Sequence, residues 1–261
     1  MSIYSSRAST IDRLFPIYSK GNYRVPSSSL KRTNSSARLQ QITPMSSSLE
    51  TSGLSQEVAS WEAQVKEARA KGDQVATLQI AKTAADAIEK LVNKSADWNQ
   101  EEIAALTAVK RFTYNTAADA WPGWELDGPI VDKAHLKEAQ ALAQRSADWC
   151  TKLQLGAIQE ATGIWLVGAF DLAMAQYDEA VGRFSASSEQ YRTAPAPALK
   201  LLSDGYTEIA KGLRSRDSPE DITTKLQGVF TELESGGFKN PTQWIEQLRT
   251  ALAVFSGHKD Q

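Results

Sequence analysis

Cysteine occurs once in this chain of 261 residues, at Cys150, and histidine twice, at His135 and His258. One thiol permits no disulfide within the chain, so the fold rests on burial and hydrogen bonding, as suits a reducing compartment. Two histidines are too few for a di-iron bundle, which takes two Glu-x-x-His pairs, and the sequence has none. No G-x-S-x-G, no P-loop and no G-x-G-x-x-G after a strand is present. Long apolar runs are missing too. The longest, Ile164–Phe170, reads "IWLVGAF", far short of the roughly 20 residues that span a bilayer. No stretch alternates apolar and polar side chains over a strand's length, so no sheet is expected.

Net charge is only −2, but the two signs are unevenly placed. Residues 1–48 hold seven Lys/Arg and one acid, Asp12, leaving 22 basic and 30 acidic residues for 49–261. A body that acidic argues against nucleic-acid binding, whose affinity comes largely from neutralising phosphates.

Residues 1–48 contain 13 serines, with Pro16, Pro26 and Pro44 and no sustained period. Such a segment buries too little apolar surface to offset its ordering entropy, so a disordered tail is expected ahead of a helical domain over 49–261. It has no apolar core of the kind that marks a secretory signal. Its serine-rich, acid-poor composition, with Ile3 near the start, resembles organellar transit peptides and the N-terminal signals of bacterial type III effectors. Three readings stand: export or organelle targeting, an untargeted tail on a cytoplasmic body, or translation starting at Met45.

From Leu54 onward the signals are helical. Leu54, Val58, Trp61, Val65 and Ala68 form one stripe, with Glu62–Lys66 and Glu67–Lys71 spaced for ion pairs on the opposite face. Gly72 is a stop and Asp73 a cap for a second helix carrying Val75, Leu78, Ala81, Ala85, Ile88 and Val92. Asn99 with Glu102 fits a capping box. Asp132, Ser218-Pro219 and Asn240-Pro241 mark further helix starts. The segments 121–129 and 234–241 read as loops by their prolines and glycines. About eight helices are expected.

In "GAFDLAMAQYDEAVGRF", Gly168 is followed by Ala180 and then Phe184, with Val167 ahead of the glycine. This resembles the tetratricopeptide repeat, a helix–turn–helix of about 34 residues. Asp171 stands where that family often has an aromatic, and the closing proline is displaced to Pro195. A fainter second unit over 195–225 would put Leu202 at the glycine position and Arg214 at the alanine position. "SADW" occurs twice, ending at Trp98 and Trp149. The resemblance implies stacked antiparallel helical hairpins, an α-solenoid, with an irregular helical bundle as the alternative. It also implies a non-enzymatic module that binds a partner protein or peptide, with no cofactor. On the repeat's concave face fall Thr162, Trp165, Ala169, Leu172 and Ala173, and one period later Tyr206. Trp165, Leu172 and Tyr206 are therefore the candidate partner-binding strip, unless a further helix covers them and makes them core.

Chemistry-bearing residues are otherwise sparse. Asp132-x-x-His135 could place two ligands on one helical face, but Asp132 is better explained as a cap. Cys150 reads as a small core residue, about four turns from His135 and out of reach of that base. Asp204 and Glu208 share a face at i,i+4, as many solvated pairs do. Trp121 and Trp124 flank Pro122-Gly123 in a loop, where they either pack on the body or bind something. A helical enzyme with an unfamiliar site, or a delivered effector or organellar protein, are the competing functions.

Overall fold

The computed structural model describes residues 53–92, 97–126 and 132–257. The expectations for residues 1–48 lie outside these, as do Ser95, Ala96 and His258. The described chain is all-α. Its helices are α1 (Gly53–Ala70), α2 (Gln74–Leu91), α3 (Gln100–Ala120), α4 (Lys133–Lys152), α5 (Ala157–Ala173), α6 (Tyr177–Thr193), α7 (Pro197–Ser215), α8 (Pro219–Ser235) and α9 (Pro241–Ser256), with a 3-10 turn at Pro122–Trp124. Each helix packs on the next, giving a repeat-like stack, and α9 returns onto α7 and the 3-10 turn. No described helix is long and apolar enough to cross a membrane.

Most starts are the caps the sequence advertises. Asp73 Oδ1 accepts the Ala76 N–H at 2.9 Å. Asn99 Oδ1 accepts from the N–H groups of Glu101 and Glu102, and Glu102 Oε2 accepts from Asn99 N–H, which completes the capping box. Asp132 caps α4, and Ser218 caps α8 ahead of Pro219. Asn240 departs from expectation: it is left-handed, at φ 57°, and its side chain caps nothing.

Several helix ends share one device. A left-handed residue follows the last turn, and the next N–H bonds back to a carbonyl five residues earlier: Asp73 to Ala68, Leu155 to Cys150, Gln176 to Asp171 and Asp217 to Gly212. Only the first uses glycine, Gly72; the others put Gln154, Ala175 and Arg216 at positive φ.

Helices α5 and α6 cross closely. A Cβ added at Gly168 would come 3.0 Å from Arg183 Cβ and 3.2 Å from the Phe184 ring, and Ala180 and Phe184 are fully buried. The fainter second unit is not built as expected. Helix α7 runs to Ser215, so Arg214 lies in the last turn of the first helix, where its guanidinium pairs with Asp178. The close approach between α7 and α8 is at Gly212 against Ile222 instead. Ion pairing on α1 also differs. Glu67 pairs with Lys71, but Glu62 reaches across to Arg111 of α3 rather than to Lys66.

Candidate functional site

The strip Trp165, Leu172 and Tyr206 lies inside the protein, each residue no more than 1% exposed. The covering element expected as an alternative is present. Trp121 sits with its ring 5.7 Å from Trp165 and 5.9 Å from Tyr206, and Trp124 lies 6.2 Å from Trp165. Trp121 Nε1 donates to the Ala169 carbonyl at 2.8 Å, and Trp124 Nε1 to the Ala118 carbonyl at 2.6 Å. From α9, Phe255 reaches Trp121 at 5.8 Å, and Gln247 Nε2 donates to the Tyr206 hydroxyl and to the Gly123 carbonyl. Leu248 fills the notch at Gly205 of α7. The strip is thus covered by Trp121 and Trp124 and by the last helix. The reason is long-range: a whole helix, α4, separates Trp121 from Trp165, and α8 separates Tyr206's helix from α9.

The other candidates resolve into structural roles. Asp132 Oδ1 accepts from the Ala134 and His135 N–H groups, and its other oxygen lies 2.7 Å from His135 Nδ1. The His135 N–H bond leads in holding the Asp132 carboxyl below its usual range. Among the described residues no group of three His, Cys, Asp or Glu side chains converges on a metal position. Cys150 is fully buried, and burial pushes its thiol up to about 11, away from the reactive thiolate. Asp204 takes hydrogen bonds from Ser188 and Lys200, and Glu208 pairs with Lys211, so the two carboxylates are separately neutralised. The SADW tryptophans meet: Trp98 and Trp149 pack edge to face at 5.6 Å.

Two buried charges were not legible as such. Lys110 is 3% exposed in α3, which is buried on nearly all sides. Its ammonium donates to Gln159 Oε1 at 2.9 Å and faces the Tyr114 ring at 5.7 Å, and burial lowers its pKa to about 8. Asp171 is buried at the junction of α4, α5 and α6, where Gln140 and Arg183 both donate to it. Burial nonetheless leaves its pKa above the usual value. Asp171 replacing the repeat's aromatic was the sequence signal for the second site. Lys110 had none beyond its place on an apolar helix.

An open concavity lies elsewhere among the described residues. A groove of about 400 Å³ runs along α7 between α6 and α8. Its lining mixes small hydroxyls with charged side chains: Ser185, Ser188 and Glu189 from α6, Asp204, Thr207, Glu208 and Lys211 from α7, and Val229 from α8. Gly182, one turn before Ser185, and Gly228, beside Val229, are helix-interior glycines at which an added Cβ would meet nothing within 4 Å. Each weakens its helix by about 0.5–1 kcal/mol relative to alanine. No protein family, curated protein or solved structure matches this chain.

Proposed function

We propose that this chain is a non-enzymatic interaction module that binds a partner protein or peptide on its helical-repeat surface. The supporting observation is the open groove over α7, where hydroxyl and carboxylate groups from α6 and α7 face Val229 of α8. The tetratricopeptide-like reading rests on the α5–α6 hairpin, where Gly168, Ala180 and Phe184 sit at the crossing that motif requires. The partner surface belongs to this groove rather than to the covered Trp165 strip. Its carboxylates are matched by Lys200, Lys211 and Arg192, so the recognition chemistry is hydrogen bonding and close approach to small side chains rather than capture of a strongly charged ligand.

The test is Ser185→Tyr, which places a bulky ring at an exposed groove position. The variant is expected to melt with the wild type and to lose the proteins that the wild-type chain captures from a cell extract. Capture of the same set by both would place binding elsewhere. The composition of residues 1–48 supports a further proposal, that the module is delivered by its N-terminus to an export route or organelle. A reporter fused to residues 1–48 that stays where it is made would remove it.

A further inference from the structure

We draw no further inference here: the strongest candidate, the open polar groove along α7 between α6 and α8, already carries the proposed partner binding, and nothing in the structure shows what covers it.

Discussion

Lys110 offers a quantitative test of how this core carries charge. The ammonium is buried, hydrogen-bonded to Gln159 from α5, and backed by Tyr114 of its own helix and by Cys150 of α4. Burial moves its pKa from 10.5 to about 8. The unfolded chain therefore holds the proton more tightly than the folded one. The penalty is fully present below pH 8, where both states are charged, and fades as pH rises from 8 towards 10.5. At about 1.4 kcal/mol per pH unit, it reaches roughly 3 kcal/mol at pH 7. Lys110→Met keeps the length of the side chain and removes the charge. It also removes the bond to Gln159, worth about 1–2 kcal/mol. The variant should therefore be about 1–2 kcal/mol more stable than wild type at pH 7, and this gap should shrink by about 1 kcal/mol by pH 9. Cys150 titrates in the opposite sense. Its thiol is raised from 9.0 to about 11, so it contributes stability that is present below pH 9 and lost as pH rises towards 11. Burial raises Tyr114, Tyr191 and Tyr206 as well, with losses beginning near pH 10. Lys110 lowers the Cys150 thiol, so its removal raises that group further, but these groups all stay protonated in the fold up to pH 9 and the difference between the two curves therefore isolates the lysine. Urea unfolding followed by tryptophan fluorescence at pH 7, 8 and 9 measures it. A gap that stays constant across this range, or a variant less stable throughout, would refute the reasoning.

Trp165→Ala should cost about 3–5 kcal/mol in the same assay, as truncation of a fully buried ring does; a loss below 1 kcal/mol would mean that the Trp121–Trp124 turn does not cover it. Ala180→Leu should cost about 1–3 kcal/mol by overpacking the α5–α6 crossing, and a neutral result would remove the close crossing there. Gly182→Ala should raise stability by about 0.5–1 kcal/mol, since the added methyl meets nothing; paired with weaker capture of partner proteins, that gain would tie the glycine to binding. Incubation with a chelator should leave the melting temperature unchanged, and a drop would reveal a metal that the ligand pattern does not predict.

The helices were legible where the signal is local. Asp73, Asn99, Asp132 and Ser218 cap the helices their positions announce. Of the stripe expected on α2, Leu78, Ala81, Ala85, Ile88 and Val92 are core, and Val75 is exposed. Gly168 and Phe184 meet across adjacent helices, a contact close in sequence and so readable from spacing. What failed depended on distant residues or on stops with no glycine. Helix α7 ends at Arg216, a non-glycine residue in left-handed conformation, so nothing in the sequence halted the 34-residue register at the right place. Glu62 chose Arg111 over Lys66 because tertiary packing brings α3 alongside α1, which a single-helix spacing rule does not see. The strip of Trp165 and Tyr206 has the periodicity of an exposed face and of a covered one alike. Only the fold supplies Trp121 and Gln247 to cover it. The groove over α7 was not readable because its lining comes from three helices, and a spacing rule relates residues on one helix only.

The bond from Gln247 to the Gly123 carbonyl joins residues 124 apart in sequence. In a stack where each hairpin touches only its neighbours, unfolding can begin at either end and travel unit by unit, with stability close to a sum of local terms. Here the connector after α3 is wedged among α5, α7 and α9, so the last helix cannot leave without uncovering Trp121, and the early helices cannot leave without pulling that ring from the middle. The chain should therefore lose its structure in one concerted transition, with amides in α5 and α9 exchanging at similar rates in native-state hydrogen exchange. A cut between α4 and α5 would yield two fragments, each with a raw tryptophan face, soluble only when recombined.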